Sequence, residues 1–264
     1  MFVKSIYLKQ PNEDLIVKSI DAGLDTIFLS LNGNNTKEEL RYYFDEYCDQ
    51  INMVPLVFYI QSDKKLQLYE QFQSDKKHRG LICPTNVNMI RKLLEFPLDL
   101  YVDGLCKSIA INFKNYEEED YHNPSIENKC ICERCQDLTE KEQRFKNIKL
   151  LRETLQGIPL YTLSYPNSFL WSISDYWINE YTYNEWNPYK YIHKYLTEQK
   201  KQDKKISNIS VIRFENIKRS IKSVSNDGYC LYPDDKLDYD KLKEINKKVD
   251  KYRNNWWFKF KKGE

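Results

Sequence analysis

The sequence predicts an α/β fold of the (β/α)8 TIM-barrel class. Three observations carry that expectation. Short apolar, β-leaning runs alternate with helix-period segments along all 264 residues. Eight such runs occur, each followed by a helical or polar segment. No glycine-rich phosphate loop follows the first run, which leaves a doubly wound open sheet as the alternative rather than the expectation. No linker-like stretch divides the chain and no sequence repeat stands out beyond the alternation. One domain over 1–264 is therefore expected, with a polar insertion at about 114–137.

The elements follow in order. FVKSIYLK (2–9) alternates like a strand. Asn12 can cap a helix running to Ala22, with Gly23 as its stop. LDTIFLSL (24–31) is the second strand, and Thr36 with Glu39 forms a capping box for the next helix. VPLVFYI (54–60) is the third strand, with a helix from Ser62 through Phe72. Thr85 can cap a helix over 86–96, and Asp103-Gly104 turns the chain into strand four, 107–113. Thr139 and Glu142 make a second capping box, Phe145, Ile148, Leu151 and Leu155 give the apolar face, and Gly157 ends the helix. Strands five to eight fall at 158–165, 177–183, 206–214 and 229–233, with helices at 167–176, 188–203, 217–224 and 239–252.

Composition narrows the function. Lys plus Arg is 41 against 39 for Asp plus Glu, which removes the broad electrostatic case for a nucleic-acid binder. The local runs KKQDKK (200–205) and KFKKG read as solvated helix ends and tail. No run reaches the roughly 18 apolar residues of a spanning helix, and the start shows no signal-peptide pattern. The default location is cytoplasmic, with association with a virus particle left open. No organic cofactor is expected. The oligomeric state cannot be read from the sequence.

In barrel proteins the site lies at the carboxyl ends of the strands. Those ends carry Lys9 and Gln10, Asn32, Gln61, Asn112 with Lys114 to Tyr116, Tyr165, Glu180 and Tyr181, Arg213 and Glu215, and Asp234 with Asp235. A rim that is polar, aromatic and partly acidic suits an open sugar groove, although surface loops are polar in any protein.

The stretch ICPTNVNMIRKLL, then IAINFKNYE, then CICERC resembles a family of bacterial (β/α)8-barrel proteins assigned as glycoside hydrolases. That family shows a CPN- or CPS-like turn, a strand ending in Asp-Phe-Glu-x-Tyr, and a Cys-x-Cys-x-x-Cys segment. The resemblance covers roughly residues 80–136 by motif and the remainder by strand order alone. It implies a carbohydrate-active barrel. It also exposes two departures, because the family's Asp falls on Asn112 and its Glu on Lys114.

Glycoside hydrolysis needs two carboxyls flanking the bond, one protonated and one ionised. An amide cannot ionise, and a lysine opposes the cationic character of the transition state. The strand-four acid is therefore expected to be missing. Glu117 and Glu215 are the candidate replacements. Against them, Glu117 sits in a solvated acidic run and Glu215 can pair with Arg213 or Lys218. Asn112, Lys114, Tyr116, Tyr181, Trp186 and Asp234 are the expected groove contacts. The expectation is thus a degenerate, sugar-binding or weakly active barrel. A structural or protein-interaction role for a catalytically dead barrel, encoded by a virus or mobile element, is the alternative.

Cysteine usage points elsewhere. The count of seven is odd, and three crowd into CICERC, which argues against a secreted disulfide framework. Cys130, Cys132 and Cys135 can supply three thiolates to a structural zinc, with Cys83 the first choice for the fourth ligand and His122 the second. Three reduced or partly disulfide-bonded cysteines are the alternative. Cys48, Cys106 and Cys230 read as core residues.

Overall fold

The strands of this chain are short and apolar because both of their faces are covered. In β2 (Thr26–Ser30) every residue is buried, and in β1 (Val3–Leu8) all but one. Such strands belong to a parallel sheet covered on both sides. In the computed structural model they close into a barrel of eight parallel strands in sequential order. The model describes residues 2–31, 34–58, 83, 85–113, 130, 132–164, 173–179, 206–213, 227–232 and 241–253. The other strands are β3 (Asn52–Phe58), β4 (Ile109–Asn112), β5 (Leu160–Ser164), β6 (Tyr176–Asn179), β7 (Ser207–Arg213) and β8 (Gly228–Tyr232). Closure is made by β1 on β8, with Val3 opposite Gly228 and Ile6 opposite Leu231. The (β/α)8 expectation holds, and the open sheet is set aside.

Alternation sorts the side chains into two layers. Val3, Tyr7, Phe28, Val54, Leu56, Ala110, Tyr161, Leu163, Ile178 and Cys230 are among those that fill the barrel interior. Ile6, Leu8, Ile27 and Leu231 face outward with residues of the surrounding helices. Ile109, Ile111 and Phe113 do the same on the opposite flank.

Five helices are described: α1 (Glu13–Asp21), α2 (Lys37–Tyr47), α3 (Val87–Val102), α4 (Glu140–Thr154) and α5 (Leu242–Arg253). Asn12 caps α1 by accepting from the Leu15 N–H. Thr36 and Thr139 make full capping boxes with Glu39 and Glu142. Gly23, Gly104 and Gly157 take the positive φ of helix stops. The expected helices at 62–72, 188–203 and 217–224 lie outside the described residues, as does the tail after Arg253. No helix among the described residues is long and apolar enough to cross a membrane.

Four sequence expectations are corrected. The third helix is capped by Asn86, which accepts from the Met89 N–H at 3.2 Å, and not by Thr85. It also runs through Pro97 to Val102 instead of stopping at 96. The ring deletes one backbone hydrogen bond. However, Ile90, Leu94, Pro97 and Leu100 form a continuous buried face, and that burial outweighs the loss. In α4, Phe145 is 54% exposed, while Gln143 and Asn147 take buried positions. Residues 173–175, expected to end a helix, are not helical, and β6 begins at Tyr176.

Asn246 of α5 knits the far ends of the chain together. Its amide donates to the carbonyls of Ala22 (2.8 Å) and Gly23 (3.2 Å), and its oxygen accepts from the Tyr229 hydroxyl. The side chain is 6% exposed. Asn246→Ala removes the hydrogen bonds to the Ala22 and Gly23 carbonyls and to the buried Tyr229 hydroxyl, and is expected to cost about 2–4 kcal/mol, read from urea unfolding.

Candidate functional site

The carboxyl-end mouth of the barrel is floored by the last inward-facing residue of each strand. On β4 the inward residue is Ala110, so the same face carries Asn112, which is 4% exposed. Asn112 stands in register with Phe58 on β3 and Leu163 on β5. Across the barrel, Tyr7 and Tyr232 stack with ring centroids 4.8 Å apart and planes 24° apart. Tyr7 is buried. Burial pushes its phenol up to about 12, with the Ser30 hydroxyl acting in the other direction. Phe58 and Tyr232 are half-buried and pack on the interior cluster. Deeper down, Tyr161 stacks on Tyr176 at 4.2 Å and meets Phe28 edge-on at 5.0 Å.

This floor carries aromatic rings, the phenols of Tyr7 and Tyr232, and one primary amide. A primary amide carries both donors and an acceptor, the functions that match a sugar hydroxyl, and it has no acidic proton to transfer. Tyr7, Phe58 and Tyr232 were not among the expected contacts. Strand ends were expected one to three residues further along, at Lys9, Gln61 and Asp234. Lys114, Tyr116, Glu117, Tyr181, Trp186, Glu215 and Asp234 all lie outside the described residues, as does His122.

A second cluster lies just outside the sheet, where the chain enters α3 and α4. Cys83, Cys130, Cys132 and Cys135 bring their sulfurs within 4.8 Å of one another, and all are buried. The Cys83 sulfur is 3.6 Å from those of Cys132 and Cys135. All the chain's cysteines are free thiols. The Thr85 hydroxyl lies 3.0 Å from the Cys135 sulfur and 3.4 Å from that of Cys83. That use of its oxygen explains why Asn86 and not Thr85 caps α3. Hydrogen bonds from Cys130, Cys135 and Thr85 hold the Cys83 thiol well below the usual thiol range.

Gln143 of α4 holds the loop that carries three of these cysteines. Its Nε2 donates to the carbonyls of Cys130 (2.7 Å) and Cys135 (3.1 Å), and its Oε1 accepts from the Cys130 N–H (2.8 Å). The turn is closed by Cys135 N–H donating to the Cys132 carbonyl at 2.7 Å. The remaining buried thiols are inert by comparison. Burial raises both Cys106 and Cys230 to about 12.

A cavity of about 540 Å³, lined by residues that include Leu155, Pro159, Leu160 and Asp175, lies at the opposite, amino end of the strands. The Asp175 carboxylate there accepts from the Leu160 N–H at 2.9 Å. That end of a barrel serves stability rather than chemistry.

No protein-family model matches the sequence, and no curated protein matches it. Solved structures do resemble the fold. A GH20 catalytic module of the pneumococcal exo-beta-D-N-acetylglucosaminidase StrH superposes with a TM-score of 0.57 at 11% identity, over 96% of this chain and 84% of that one. A GH113 beta-1,4-mannanase gives 0.56 at 9% identity, over 96% and 99%. A GH18 chitinase from Pseudoalteromonas aurantia gives 0.54 at 11% identity, over 94% and 99%. At these identities the likeness is one of fold: the chain is a TIM barrel of the shape that these glycoside hydrolases share.

Proposed function

We propose that the protein is a glycoside hydrolase-like barrel that binds an oligo- or polysaccharide at its carboxyl-end mouth and hydrolyses it slowly or not at all. One observation carries this reading. Asn112, at the strand end where the family resemblance calls for an acid, faces the barrel axis beside aromatic side chains. Sugar rings stack on aromatic faces, and their hydroxyls suit an amide. Cleavage needs two carboxyls, and this floor supplies none at strand four. In the proposal Lys114, Tyr116, Tyr181, Trp186 and Asp234 complete the groove. Glu117 and Glu215 are the carboxyls to which any residual hydrolysis would fall. The whole chain forms one barrel domain.

The test is calorimetric titration with oligosaccharides found on a glycan array, using wild type, Asn112→Ala and Tyr232→Ala. Each variant is expected to weaken binding about tenfold or more, equivalent to about 1.4 kcal/mol. A folded protein that binds no glycan on the array would refute the reading and favour a structural barrel.

A further inference from the structure

We propose that Cys83, Cys130, Cys132 and Cys135 bind one Zn2+ as a closed tetrathiolate site that clamps the β3–α3 and β4–α4 connections together at the mouth of the barrel. The geometry suits a single tetrahedral ion. With zinc–sulfur bonds of about 2.3 Å, the edge of the sulfur tetrahedron is about 3.8 Å. The Cys83 sulfur stands 3.6 Å from those of Cys132 and Cys135, and every pair lies within 4.8 Å. An iron–sulfur cluster sits between its thiolates and would hold them further apart. Copper(I), the other thiolate-seeking ion, prefers fewer ligands.

Burial separates this site from an ordinary core. Cys83, Cys130 and Cys135 are 0% exposed and Cys132 is 4% exposed. Among the described residues they form a cluster of their own, with no aliphatic or aromatic member. Four thiols bury little apolar surface by themselves, which is a weak reason to gather them. A metal is a stronger one. The surroundings also fit a thiolate site. Thr85 places a hydroxyl donor against two of the sulfurs. Gln143 fixes the backbone of the ligand loop by three hydrogen bonds. Such supporting contacts orient ligands and tune metal affinity.

With four protein ligands and no solvent-facing position, the ion is structural and not catalytic. Zn2+ replaces the four thiol protons, which leave to solvent, and the product is a dianionic centre. Its place in the chain gives it a task. Cys83 lies three residues before the Asn86 cap of α3, and Cys135 lies four residues before the Thr139 cap of α4. Helices that follow barrel strands begin at the carboxyl-end face, so the clamp holds the rim above Phe58 and Asn112.

The test is metal analysis of the full-length protein purified without chelator under reducing conditions, followed by exchange with Co2+. About one zinc per chain is expected. The cobalt form should show intense sulfur-to-cobalt charge transfer and tetrahedral ligand-field bands. Cys132→Ser should lose most of the bound zinc, and Cys48→Ser should keep it. Should Cys132→Ser fail to fold, the wild-type zinc content and cobalt spectrum decide. Folded wild type that carries no zinc and takes up neither Zn2+ nor Co2+ stoichiometrically would overturn the proposal. So would stoichiometric iron that zinc cannot replace, or zinc that persists unchanged in folded Cys132→Ser.

Discussion

Gln143→Leu is expected to destabilise the protein by about 3–5 kcal/mol, although it exchanges one buried residue for another of similar size. The side chain is 1% exposed. It satisfies the N–H and carbonyl of Cys130 and the carbonyl of Cys135. Leucine fills the volume but cannot bond the Cys130 N–H and carbonyl, each loss costing about 1–3 kcal/mol, while the Cys135 carbonyl keeps the Leu138 N–H at 2.9 Å. Urea unfolding followed by circular dichroism measures the loss. Phe145→Ser, two positions along the same helix, is the internal control. Phe145 is 54% exposed, so its replacement is expected to stay within about 0.5 kcal/mol. A Gln143→Leu protein as stable as wild type would mean that the ligand loop is held by something else.

Gly228→Ala is expected to cost about 3–4 kcal/mol and to act at the seam of the barrel. A Cβ at Gly228 would stand 2.5 Å from the Val3 carbonyl oxygen and 2.9 Å from the Val3 Cβ. Both atoms belong to the neighbouring strand at the register pair that closes β8 on β1. The first is backbone, so no side-chain rotation relieves the clash, and the strands must move apart where the Val3 N–H donates to the Asp227 carbonyl at 2.9 Å. Gly104→Ala gives the contrast. Its φ of +76° is unfavourable for alanine, but nothing lies within 4 Å of the new Cβ. That variant should lose only about 1–2 kcal/mol. Equal losses for the two variants would show that conformation and not crowding sets the requirement at Gly228.

The sequence made the barrel legible because helix ends and strand runs carry strong local chemistry. Asn12, Thr36 and Thr139 cap as their side chains dictate, and Gly23 and Gly157 stop helices by their conformation. Pro97 misled because the local cost of a proline competes with a buried face that continues to Leu100. The floor of the mouth was harder to read for a physical reason. Neighbours such as Ile6 and Tyr7 are both buried, one outward and one inward. Hydrophobicity therefore marks a strand without marking its phase, and the inward aromatics Tyr7, Phe58 and Tyr232 stayed hidden among equally apolar neighbours. Asn112 was legible because a polar residue ending such a run stands out. Cys83 joined the three clustered cysteines on the logic of shared barrel face, and the structure brings its sulfur beside theirs. Gln143 escaped notice because a glutamine on an amphipathic helix ordinarily faces water.

In the proposed function this barrel holds sugar without the usual strand-four acid. The most direct measurement is turnover of a broad oligosaccharide panel by wild type, Glu215→Gln and Asn112→Asp, alongside binding of the same sugars. Binding by wild type with slow or no turnover is expected. Rapid turnover by wild type that vanishes in a folded Glu215→Gln protein would contradict it, and would mark an active glycosidase whose carboxylate pair does not need strand four.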